Sequence, residues 1–268
     1  MFVDSHCHLS FPELHERVPQ ILADMRAQQV GGALCICTTL EEFDTVHALA
    51  MAHDNLWASV GVHPDTEDMA EPTEDLLCAL AARPKVVAIG ETGLDYYRLN
   101  GRSVADMAWQ RDRFRHHIRA GRRMKRPLVI HTRSASDDTL AILREEGAGS
   151  EGSGVFGVFH CFTETMDVAR AALDLGFHIS FSGIVSFRNA ADLREVARFV
   201  PLERCLIETD SPYLAPVPFR GKTNSPAYVP HVAAVVAAEK GLPVERLADI
   251  TTRNFQQLFG VQVPAFAA

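Results

Sequence analysis

The sequence predicts a closed (β/α)8 TIM barrel, and three observations lead there. Short apolar runs bounded by turn residues recur eight times, the segments between them carry helical periodicity, and the runs lack the apolar–polar alternation of a sheet with one wet face. Strands buried on both faces and joined by helical crossovers define a parallel sheet covered by helices. Eight such units in about 250 residues match a barrel. An open doubly wound sheet is the competing arrangement.

In order, the eight runs are MFVDS, GALCIC, WASVGV, VVAIG, PLVIH, VFGVFH, HISFSG and CLIETD. Between the fourth and fifth, RDRFRHHIRAGRRMKR holds eight Arg and Lys residues from Arg111 to Arg126. Met107, Phe114 and Ile118 fall at helical spacing there, with Ser103 as the expected cap. The charges become denser toward the end where cations complement a helix dipole, so they read as a solvated helix face and not as a phosphate patch. In the next crossover, DTLAILREEG, Ser136 is placed to cap, Asp137 and Asp138 favour the positive end, and Gly147 can terminate. The Gly/Ser-rich stretch Gly147–Gly154 runs straight into the next strand and reads as a helix-to-strand loop, not a linker. Residues 1–268 are therefore expected to form one domain, a barrel over about 1–260 with a short tail after Phe259.

With 268 residues, 47% of them hydrophobic, the chain can bury a sizeable core. A net charge of −8 argues against coating nucleic acid with a broad basic surface, while leaving room for a local basic cleft. The six cysteines are scattered without a CxxC pair, as reduced thiols would be. Asp4 arrives before any basic-then-apolar leader, and apolar runs such as Val232–Ala238 are too short to span a bilayer. A cytoplasmic location is expected.

In a barrel, side chains at the C-terminal ends of the strands converge on one mouth. His6 and His8, two residues apart in an extended strand, point the same way. Glu91 ends the fourth run, His131 the fifth, His160 the sixth and Asp210 the last. Taken singly, each is as well explained by hydrogen bonding or solvation. Together they are not, because several ionisable groups buried in one mouth cost several kcal/mol per unpaired charge unless a cation compensates. Six ligands are too many for one tetrahedral ion and suit two, with the two oxygens of Glu91 as the natural bridge. Cys7 and Cys161 neighbour ligands, but period-2 alternation turns both away as core thiols.

The segments DSHCHL, GVHPD, GETGLDYY, PLVIHTR, FHCFTE, ETDSPYLAP, RGKTNSPAYV and TTRNFQQLF, in this order from Asp4 to about Phe259, resemble the TatD family of metal-dependent hydrolases. The resemblance implies an amidohydrolase-like TIM barrel and cytoplasmic deoxyribonucleases of exonuclease type. It implies one ion on His6, His8 and Asp210, a second on His131 and His160, and Glu91 between them. After HCF many relatives carry a small Ser-Gly-type segment, whereas Thr163 and Glu164 follow here. An extra carboxylate at the mouth would disfavour a nearby phosphate.

The expected cofactors are two divalent cations, Zn, Mn or Mg, with the imidazole count favouring zinc or manganese at rest. Two such ions with two carboxylates leave the cluster about two charges positive, which attracts phosphate. Asp210 is the expected general base as well as a ligand, and Glu91 the other catalytic carboxylate. His63, Tyr97, Arg133, Arg220 and Lys222 are candidates to grip phosphates or a terminal nucleotide, Tyr97 by stacking on a base. The expected substrate is a DNA end or single-stranded DNA. An enzyme of the same architecture acting on a small phosphoester, amide or lactone is the main alternative, and a non-catalytic metal-dependent nucleic-acid binder a lesser one. Glu91 as bridge, in place of a lysine open to carbamylation, favours the nuclease.

Overall fold

A computed structural model of the chain describes residues 1–67 and 69–266. Its strands are β1 (Phe2–Cys7), β2 (Val30–Cys35), β3 (Leu56–Val60), β4 (Val86–Asp95), β5 (Leu128–Arg133), β6 (Gly157–Phe159), β7 (His178–Phe181) and β8 (Cys205–Ile207). They pair in that order, each parallel to the next. The seam between β8 and β1 is drawn together by a parallel bridge between Cys7 and Ser211, with the Asp210 amide donating to the His6 carbonyl at 2.9 Å. The order β1 to β8 with this seam is that of a barrel, not of an open doubly wound sheet.

The helices are α1 (Pro12–His15), α2 (Val18–Ala27), α3 (Phe43–Ala52), α4 (Glu74–Ala81), α5 (Ala108–Met124), α6 (Ser136–Glu145), α7 (Met166–Asp174), α8 (Ala191–Phe199), α9 (Val229–Glu239) and α10 (Val244–Phe259). Burial divides into two apolar clusters. One joins Ala33, Val60, Ile89, Ile130 and Phe181 of the strands to Ile21, Phe114, Leu143 and Val236 of the helices. The other gathers Val3, Leu34, Val87, Val129 and Leu206 from five strands and seals them with Phe255, Phe259 and Val263. The segment after Phe259 thus takes part in the floor of the barrel through Val263. All six cysteines are free thiols. No helix among the described residues is long and apolar enough to cross a membrane.

Three local expectations are corrected. Ser136 does not cap α6 but begins it, and its hydroxyl donates instead to Glu164 Oε2 at 2.7 Å. Ser103 donates to Asp106 and opens a 3-10 turn ahead of α5. The basic run on α5 is not simply a wet face. Arg113 is buried, forks onto Glu71, and donates to the carbonyls of His63 and Thr66 at 3.0 and 2.8 Å. Arg115, Arg119 and Arg123 pair with Glu145, Glu146 and Asp75 of the flanking helices and loops. Acidic partners on both sides account for the density of arginine there.

Candidate metal centre

Strand order explains why distant residues meet. His6 lies in β1 and His8 one residue past it, and their Nε2 atoms approach to 3.2 Å, so the same-face expectation is met. Glu91 lies in β4 beyond a Gly90–Glu91 peptide that is cis. His131 is in β5, His160 follows β6, and Asp210 stands three residues past β8 in the left-handed region, with φ +56°. The backbones must come close for this. Gly93 adopts φ +129°, and a Cβ there would lie 1.9 Å from the His131 carbonyl oxygen.

Four of the other five expected ligands meet Glu91 directly, and Asp210 joins them through His6 and His8. Its Oε2 is 3.3 Å from His6 Nε2 and 3.9 Å from His8 Nε2. Asp210 Oδ1 lies 3.6 Å from His6 Nε2 and 3.3 Å from His8 Nε2. A tetrahedral cation bonded at roughly 2.0–2.2 Å sets its ligands roughly 3.3–3.6 Å apart. His6 Nε2, His8 Nε2 and Glu91 Oε2 therefore have the donor chemistry and nearly the spacing of a cation site, and Asp210 Oδ1 approaches the two imidazoles at similar distances. On the other side, Glu91 Oε1 is 2.9 Å from His160 Nε2, 3.2 Å from His131 Nδ1 and 3.3 Å from His63 Nε2.

His63, expected to grip substrate, is thus brought to the carboxylate itself. Ligand atoms of His63, Glu91 and His131 lie within 4.8 Å of one another, as do those of His6, His8 and Glu91. The rule that selected the others, a ligand-capable side chain just past a strand end, applies to His63 after β3. Partners behind the ring of candidate ligands were not foreseen. Glu208 Oε1 accepts from His160 Nδ1 at 3.2 Å and from the Cys161 amide at 2.8 Å, Asp95 Oδ2 meets His131 Nε2 at 3.0 Å, and Asp65 bonds His63 Nδ1. Such carboxylates fix ring orientation and tautomer.

The charges follow from this packing. Burial pushes the Glu91 carboxyl up, but the imidazolium charges of His160 and His63, with hydrogen bonds from His131 and His160, hold it well below the usual range. Burial would strip the His63 proton, yet Glu91 and Asp65 outweigh it and raise the group to about 10. His160 is raised well above its ordinary value against burial by Glu91 and Glu208. Burial, joined by the neighbouring His160, lowers His6. Cations binding here compete with protons for the same nitrogens.

A cavity of about 580 Å³ opens over the cluster. Thr66, Thr132, Arg133 and Thr163 form a polar side, and Phe11, Ile184, Tyr213 and Leu214 an apolar one. Of the remaining substrate candidates, Tyr97, Arg220 and Lys222 do not line it. The Arg133 guanidinium covers the Tyr97 ring at 3.6 Å, Arg220 lies 3.4 Å over Phe187, and Lys222 is 5.7 Å from the Phe219 ring. The loop after β8 is pinned by Asn224 Nδ2, which donates to Thr209 O at 2.8 Å and Tyr213 O at 2.6 Å, and this turns Tyr213 and Leu214 to the mouth. Cys161 is a correction: it lines the cavity, because β6 ends at Phe159 and φ +40° at Cys161 breaks the alternation. Cys7 is buried as expected. Glu164 is held by Ser136 and is not among the cavity-lining residues; Thr163 is.

Imidazoles and carboxylates gathered at the C-terminal mouth of a (β/α)8 barrel define a metal-dependent hydrolase. The family described as TatD related DNase matches residues 3–260, and the chain belongs to that family. It is 50% identical over 262 residues, 97% of this chain and 96% of the other, to YcfH of Escherichia coli (strain K12), an uncharacterized metal-dependent hydrolase. It is 33% identical to the 3'-5' ssDNA/RNA exonuclease TatD of Klebsiella pneumoniae (strain 342), over 91% of this chain and 92% of that one. The crystal structure of YJJV, a TatD homolog from Escherichia coli K12, superposes with a TM-score of 0.87 at 28% identity, covering 97% of this chain and 98% of that one.

Proposed function

We propose that this hydrolase cleaves phosphodiester bonds at an end of single-stranded nucleic acid. The observation that carries the reading is the division of Glu91. One oxygen faces His6 and His8, with Asp210 beside them; the other faces His63, His131 and His160. His6, His8, Asp210 and Glu91 would hold one divalent cation, and His131 and His160 with Glu91 the other, with His63 adjoining. Cations held there supply Lewis-acid stabilisation of charge on a phosphoryl group and acidify water toward neutrality.

The protein's own groups do the rest. Asp210 lines the cavity and takes the proton of the attacking water on its carboxylate. Arg133, at the end of β5, offers a planar fork to a phosphate oxygen, with Tyr97 behind it. Glu208 and Asp95 keep His160 and His131 turned toward Glu91. The Klebsiella exonuclease supports single-stranded DNA or RNA as the substrate class. A second reading, a small phosphoester, amide or lactone, is favoured by one feature: among the residues lining the cavity, Arg133 is the single Lys or Arg.

Metal content by elemental analysis, followed by single-stranded DNA, RNA, a phosphomonoester and a lactone under Mg²⁺, Mn²⁺ and Zn²⁺, tests the two readings. Stepwise shortening of the oligonucleotides is expected. Turnover confined to the lactone or monoester would replace the nuclease reading with the second.

A further inference from the structure

The apolar side of the cavity is unexplained by metal binding or by phosphate chemistry. Phe11 follows β1 and Tyr213 follows β8, so the two rings stand on the loops after adjoining strands, whereas Arg133 ends β5. In a ring of eight strands β5 lies opposite β1, and the cation cluster lies between these walls. Phe11 stacks on His8, with ring centroids 4.5 Å apart and planes 19° from parallel; Tyr213 meets Phe11 edge-on at 6.2 Å. The aromatic wall therefore begins one ring's thickness from a candidate ligand.

Both aromatics are held ready by their backbones. The Phe11 amide donates to His8 O at 3.1 Å, and the Tyr213 amide to Asp210 O at 3.0 Å. Tyr213 O accepts from Asn224, and Leu214 adopts φ +57°. Tyr213 nevertheless stays 53% exposed as a residue and lines the same cavity as Glu91 and Asp210. A pinned, half-wet ring beside a phosphate-attracting cluster suits a flat heteroaromatic group attached to a phosphate by a short link.

We infer that Phe11 and Tyr213 form a stacking subsite for the nucleobase next to the scissile phosphate, with Leu214 and Ile184 completing the apolar surface and Arg133 taking phosphate on the far side. This deepens the phosphodiester reading and rests on it. Tyr97, whose ring is covered by Arg133, is thereby left as support for that guanidinium.

The test is binding of deoxyadenosine monophosphate and of 2-deoxyribose 5-phosphate to the manganese-loaded protein by calorimetry, in wild type, Tyr213→Ala and Tyr213→Phe. Tyr213 contributes to its pinned loop through backbone atoms, so both variants keep those bonds. Stacking on one aromatic is expected to favour the nucleotide about tenfold over the sugar phosphate. Tyr213→Ala should erase most of that preference and Tyr213→Phe should retain it. Equal affinity for the two compounds in wild type, or a preference untouched by Tyr213→Ala, overturns the subsite alone. Failure of wild type to bind either phosphate overturns both the subsite and the phosphodiester reading. A Tyr213-dependent preference in a protein that leaves oligonucleotides intact would keep the subsite and overturn the nuclease reading.

Discussion

The floor of the barrel sets Phe255, Phe259 and Val263 against Val3, Val87 and Val129, whereas the rim sets His6, His8, Glu91 and Asp210 within a few ångströms of one another. Apolar floor groups gain simply by leaving water, and they need nothing beyond each other. The rim groups repel or lose hydration when packed together, and His6 Nδ1, His8 Nδ1 and Glu208 Oε2 find no hydrogen-bond partner among the described residues. The same tube thus has one end that stabilises the fold and another that sacrifices stability for a charged cluster able to receive cations.

Mutations should separate the two ends. Glu91→Gln or Asp210→Asn should lower hydrolysis on the order of a thousandfold, about 4 kcal/mol on the barrier, with loss of bound metal but an unchanged circular dichroism spectrum. Retained turnover would break the contrast at the rim. Phe259→Ala, at the floor, should cost roughly 3–4 kcal/mol in denaturant unfolding while kcat per folded molecule holds. A fall in kcat equal to that of the rim variants would show that the floor is not merely structural.

A third experiment uses pH. His117 on α5 is buried, donates from Nδ1 to Arg113 O at 2.8 Å and accepts on Nε2 from the Val62 amide at 3.0 Å. Burial lowers it to about 4. Its folded value lies below the unfolded one of about 6.5, so its contribution is complete above that value. It is lost as pH falls toward 4, by roughly 3 kcal/mol in all. His117→Gln should flatten that part of the stability profile; an unaltered profile would remove His117 as its source. The smallest effect sharpens the link between wall and rim. Arg113→Ala should cost roughly 2 kcal/mol by freeing the carbonyls of His63 and Thr66, and should lower metal affinity through His63. Unchanged metal affinity would confine Arg113 to stability.

The strands were legible because eight buried parallel strands leave eight apolar runs, and VVAIG or PLVIH has no other simple explanation. The convergence of the candidate ligands was legible because a barrel reduces a three-dimensional question to position at a strand end. What escaped depended on side-chain direction. Cys161 leaves its strand at φ +40°, Ser136 prefers a carboxylate across the rim to its own helix, and Arg113 turns inward from a run that looks wholly wet. Tyr97 was the tyrosine the sequence offered for stacking and Tyr213 was not singled out; it is Tyr213, on the loop pinned by Asn224, that faces the cavity.

The seam between β1 and β8 also sets a timetable. Asp4 is bound by the Thr209 amide and hydroxyl across 205 residues, and His6 faces Asp210 beside them. On the ribosome, a nascent chain would carry its first two histidines long before their acidic counterpart emerged. The proposed metal site can therefore be completed only when the final turn of the barrel has formed.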